Sequence, residues 1–174
     1  MTSMRPASFA IVALAALLLP APARARPWQG IEPGKSTSEE VLAKFGEATA
    51  RKQRGPKSVV VYKGEHALAG TREAQFACRA DGVVEEITVF LANALDVETV
   101  EGTFGKPQSK TFVEATFQKV WLYPQKGVTV FFDKDGNAEV IAYGIPAAPK
   151  GPAGAAPTRA AERAEKAAAP DRAP

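Results

Sequence analysis

The sequence predicts an α+β protein of two repeats, each a short helix followed by a three-stranded antiparallel sheet, with the helices packed on one sheet face. Three observations predict it. "VLAKFGEA" (residues 41–48) and "VEGTFGKP" (100–107) each end an apolar stripe in Phe-Gly. Each is followed by a polar link and then an apolar strand that ends in Tyr, "SVVVY" (58–62) and "KVWLY" (119–123). Each strand is followed by two alternating segments joined through Asp-Gly, a strong hairpin signal. Setting Gly82 on Gly136 places Phe76 on Val130, Cys78 on Phe132, Glu85 on Glu139 and Ile87 on Ile141.

The elements follow in order. Arg5, the apolar run of residues 9–19 and the small residues Ala21, Ala23 and Ala25 form a secretory signal peptide, residues 1–25. The run stops at Pro20, well short of the roughly 20 apolar residues of a membrane span. No cysteine stands at the cleavage point for lipid attachment. The first repeat covers 26–92. Ser36 or Thr37 caps its helix, Glu39 or Glu40 completes a capping box, and Val41, Leu42 and Phe45 form the apolar stripe. Gly46 ends the helix. The second repeat covers 93–145, with Asp96 as cap, Val97, Val100 and Phe104 as stripe, Gly105 as stop and Pro107 barring continuation. Residues 146–174 are a disordered tail, almost entirely Ala, Pro and charged residues, which cannot bury enough surface to offset ordering.

Composition narrows the function. The net charge of +3 falls to +1 when Arg5 and Arg24 leave with the signal peptide, so no electrostatic footprint for nucleic acid exists. Cys78 is the sole cysteine, which excludes an internal disulfide and reads as a small core hydrophobe. His66 is the sole histidine and has no partner at metal-ligand spacing. "PGKST" (33–37) lacks the four-residue gap and the preceding strand of a phosphate-binding loop, and helix capping accounts for it. "DKDGNAE" (133–139) is too poor in oxygen ligands for a calcium loop and reads as a turn. These readings lead to no enzyme, no metal and no cofactor.

The aromatic residues point to binding. Alternation puts Trp121 and Tyr123 on one face of their strand and Val120 and Leu122 on the other, with Val60 and Tyr62 in the matching places. Both faces are apolar, so the one without a helix is covered by the other repeat or by another protein. Trp121, Tyr123, Tyr62 and Phe131 are therefore the candidate protein-binding residues.

"PGKSTSEEVLAKFGEA" with "VVVY", and "DVETVEGTFGKP" with "VWLYPQKGVTVFFDKDG", resemble the SmpA/OmlA (BamE-like) domain in two copies. Copy one has Ala48 where the pattern has Pro, and Val60 where copy two has Trp121. The resemblance implies a non-catalytic scaffold of the cell envelope, periplasmic or secreted, that holds another envelope or secreted protein. After signal cleavage no transmembrane segment remains, and peripheral membrane contact stays open. The tandem arrangement is also similar to the β-lactamase inhibitor proteins, which implies the alternative of a secreted inhibitor of an extracellular enzyme. The disulfides of those inhibitors cannot form here.

Overall fold

The computed structural model describes residues 24–147. The expected signal peptide and tail lie, but for their innermost residues, outside this span. Within it the chain forms α1 (Ser38–Phe45), β1 (Ala50–Arg54), β2 (Lys57–Lys63), β3 (Thr71–Cys78), β4 (Val84–Leu95), α2 (Val97–Phe104), β5 (Ser109–Val113), β6 (Gln118–Tyr123), β7 (Val128–Phe132) and β8 (Ala138–Gly144). No helix of the described residues is long and apolar enough to cross a membrane.

The expectation of two three-stranded sheets is overturned. All eight strands join one antiparallel sheet in the order β1-β2-β3-β4-β8-β7-β6-β5, and the fold is sheet-dominated. Two physical causes account for the difference. First, the polar links after the helices are strands. "ARKQR" (Ala50–Arg54) has no apolar alternation because it is an edge, exposed on both faces, yet it pairs with β2 from Ala50↔Val61 to Arg54↔Lys57. "SKTFV" (Ser109–Val113) does the same against β6. Second, β4 and β8 would be long apolar edges if each half stood alone, and such edges template further pairing. They pair with each other instead, from Glu86↔Gly144 to Phe90↔Val140. The boundary expected between residues 92 and 93 falls inside β4.

Each helix has eight residues, too few for stability alone, so capping and packing hold it. Thr37 caps α1: its hydroxyl accepts from the Glu40 N–H while the Glu40 carboxylate accepts from the Thr37 N–H, both at 3.3 Å. Asp96 caps α2 by accepting from the Thr99 N–H at 2.7 Å. Val41 from α1, and Val100 and Phe104 from α2, are buried in one core with Val60, Tyr62, Phe76, Ile87, Trp121, Val130 and Ile141 of the sheet. This single core crosses the junction between the halves. The segment before α1 ties them further. The Arg26 guanidinium lies over the Phe104 ring at 4.8 Å and donates to the Thr103 carbonyl, while Trp28 packs against Phe45 and Phe76.

The two Asp-Gly segments make tight turns, β3 to β4 and β7 to β8. Gly82 and Gly136 take φ of 81° and 87° there, which a β-carbon would disfavour. Asp81 accepts from the Val83 N–H, and Asp133 accepts from the N–H groups of Asp135 and Asn137. Asp133 of "DKDGNAE" thus holds the backbone of its own turn, while Glu139 accepts from the Gln118 side chain.

Candidate functional site

The sheet register sorts side chains onto two faces, since neighbours along a strand point to opposite sides. The helices cover one face. On the other, the middle row runs across every strand: Ala50, Val61, Gln75, Thr88, Ala142, Thr129, Leu122 and Ser109. Beside it Phe90, Val120, Phe131 and Val140 form a contiguous apolar cluster, and Val59, Val61 and Ala77 form a second. These cluster residues are buried although they include none from a helix; the Arg72 guanidinium lies over the Phe90 ring at 5.8 Å. Register shifts in β3–β4, β4–β8 and β7–β8 add twist, which brings side chains on one face closer together.

The four sequence-predicted binding residues fall on different faces and none reaches solvent. Trp121 is 2% exposed, Tyr123 1%, and Tyr62 and Phe131 0%. Tyr62, Trp121 and Tyr123 lie on the helix-covered face, whereas Phe131 lies on the open one against Val120 and Val140. The tyrosines have matching tasks. Each stands at or next to the end of the second strand of its half and donates its hydroxyl at 3.0 Å to the carbonyl of the glycine that ends the helix, Tyr62 to Gly46 and Tyr123 to Gly105. The Phe-Gly and the Tyr of the repeat are thus one device: an aromatic strand residue supplies a donor to the helix end, where carbonyls lack intrahelical partners. Burial raises both phenols above their ordinary value.

Trp121 meets Phe132 at 4.7 Å between ring centroids, and the Lys110 and Lys119 ammonium groups lie over its ring at 4.6 and 5.0 Å. Its indole Nε1 is buried without a hydrogen-bond partner.

The remaining polar groups show little that resembles a reacting centre. A shallow cleft beside α1 is lined by Ser38, Glu39, Gln53, Ser58, Arg79 and Asp81. Backbone N–H bonding, helped by Thr37, holds the Glu39 carboxyl below its usual value, and the Val83 N–H does the same for Asp81. Both are charged at neutral pH, and neither is a poised proton donor. Among the described residues no group of three or more His, Cys, Asp or Glu side chains gathers to hold a metal ion. Cys78 is buried, and desolvation raises its thiol to about 11, so it is no nucleophile at neutral pH.

Sequence reasoning missed two exposed aromatics, Phe112 (64% exposed) and Phe117 (83% exposed), on the hairpin joining β5 to β6. The signal for them was weak: β5 is too short and polar to show alternation, and Phe117 sits in its turn with φ of 54°.

Fold and face together define a sheet-dominated domain with one helix-covered and one open face. No family model matches the chain, and neither does any curated protein. Among solved structures it is similar to the crystal structure of a DUF4309 family protein, YjgB, from Bacillus subtilis subsp. subtilis str. 168, with a TM-score of 0.51 and 18% identity over 70% of this chain and 87% of that one. At that identity the likeness concerns the fold alone.

Proposed function

We propose that the protein is a non-catalytic binding module of the cell envelope, exported by its N-terminal segment, which engages another protein through the open face of its sheet. The observation that carries this reading is that face. It spans both halves and has no covering helix among the described residues; its middle row is half-buried at Ala50, Gln75, Leu122 and Ser109, beside aliphatic clusters that are themselves buried. A broad, shallow surface that mixes aliphatic and small polar groups suits a protein partner better than a small molecule, which takes a deep pocket. Trp121, Tyr123, Tyr62 and Phe131 then support the surface from within, setting the strand positions that a partner meets.

Capture from envelope extract tests this. The chain is compared with Gln75→Arg and Leu122→Arg, both half-buried positions of the middle row. Wild type is expected to retain a partner that each variant loses while keeping its melting curve. A partner held equally by all three, or by none, would sink the reading.

The inhibitor alternative would use the same face: the β4–β8 pairing makes a single sheet from both halves, broad enough to meet an enzyme surface. Assays of extracellular hydrolases with stoichiometric protein separate the two, since a scaffold inhibits none of them.

A further inference from the structure

We propose that β5 is a self-association edge, through which two copies of the chain join antiparallel, in a register centred on Phe112, so that one sheet continues into the next. The sheet ends in two edge strands, β1 and β5, each with one unpaired side. An unpaired side templates further pairing unless charge, Pro or a cover blunts it. β1 is blunted: Arg51, Lys52 and Arg54 are all exposed along its five residues, so two such edges repel. β5 carries a single cation, Lys110, and displays Phe112. Phe117 stands in the adjoining turn in a left-handed conformation that favours Gly or Asn, so an exposed aromatic occupies a place local preference assigns elsewhere.

Charge selects a second copy as the occupant. Antiparallel pairing about Phe112 sets Lys110 opposite Glu114 of the second copy, Thr111 opposite Val113, and Phe112 opposite its own counterpart. The two-fold symmetry makes the ion pair twice. Among the described residues neither Lys110 nor Glu114 forms a salt bridge within its own chain. Lys110 and Lys119 both sit over the Trp121 ring, and neither is paired with a carboxylate. Glu114 of the second copy therefore enters a place of uncompensated positive charge. Glu114 stands in the turn directly after β5, and a one-residue extension of the strand on association brings it into the ladder on the face of residues 110 and 112. The register centred on Thr111 instead sets Phe112 against Lys110 and leaves Glu114 opposite Gln108, without the ion pairs. One short strand pair buries little surface, so the dimer belongs with weak, concentration-dependent interfaces.

Sedimentation equilibrium of the purified protein over about a hundredfold concentration range tests this, with thermal melts as the folding control. A reversible monomer–dimer equilibrium is expected. Phe112→Lys should weaken it about tenfold or more, and Lys110→Glu and Glu114→Lys should each weaken it through like-charge contacts. The double swap Lys110→Glu with Glu114→Lys should restore association close to wild type, which only the Phe112-centred register allows. A monomer at every concentration overturns the proposal, as does a dimer unaffected by Phe112→Lys or a double swap as weak as the single ones. If Phe112→Lys melts early, Phe112→Ser takes its place. This edge is separate from the open face, so failure of partner capture leaves the association untouched.

Discussion

Tyr62 and Tyr123 show how much one atom carries in this protein. Each hydroxyl reaches from the sheet to the carbonyl of a helix-ending glycine, and each ring fills the core beneath that helix. Tyr62→Phe keeps the ring and removes only the donor, leaving a part-buried carbonyl without its partner. A loss of about 1 kcal/mol in unfolding free energy is expected, and the same for Tyr123→Phe. The two bonds lie in different halves and share no atoms, so the double variant should lose their sum within about 0.5 kcal/mol. Denaturant midpoints measure this. A cost near zero for both would show that water replaces the hydroxyl freely. Tyr was legible in the sequence as a repeated aromatic at a strand end, but its partner was not. Which carbonyl a phenol reaches depends on where the helix lies over the sheet.

At the scale of elements, capping explains both the helices and an acid sensitivity. Bonding to Thr99 holds the Asp96 carboxyl below its usual value, as the Val83 N–H does for Asp81 and backbone bonding does for Glu39. A carboxyl lowered in the folded state adds stability that is present above its unfolded value, near 4, and disappears as pH falls through its folded value. Stability should therefore be flat from about pH 5 upward through neutrality and decline below about pH 4. Asp96→Asn keeps a capping side chain without the charge, so its acid decline should be shallower than that of wild type. An unchanged acid limb, followed by circular dichroism, would remove Asp96 from this account. The phenols act at the other end. Burial raises Tyr143 to about 12, so stability is complete below the ordinary phenol value of 10.0 and is lost as pH climbs from there through about 12. The helix caps were readable because Thr37-Ser-Glu-Glu and Asp96 with its following stripe are local patterns. The edge strands were not, because an exposed edge has no apolar face to announce its period.

For the whole molecule, the β4–β8 pairing and the shared core decide how it unfolds. The core under the helices draws on both halves without a break. The two tryptophans report on different parts of it: Trp28 packs against Phe45 and Phe76, and Trp121 against Phe132. Variants retaining one tryptophan each, Trp121→Phe and Trp28→Phe, should give fluorescence transitions that coincide with their own circular dichroism transitions. Separate transitions for the two probes within one variant background would mean that the halves unfold independently, as two isolated small sheets would.

By itself the sequence determined the local punctuation of this protein: the Phe-Gly helix stops, the capping residues, the Asp-Gly turns and the duplication that relates residues 76, 78, 85 and 87 to 130, 132, 139 and 141. These are short-range effects of backbone geometry and hydrogen bonding, so they can be read from neighbouring residues. Only the tertiary structure decided that the halves share one eight-stranded sheet, that Trp121, Tyr123, Tyr62 and Phe131 are buried, and that Phe112 and Phe117 are exposed. Strand periodicity shows that a strand has two faces but not which neighbour pairs with its edge. Edge pairing is a contact between residues such as Val89 and Ile141, far apart along the chain, and no local pattern carries that choice.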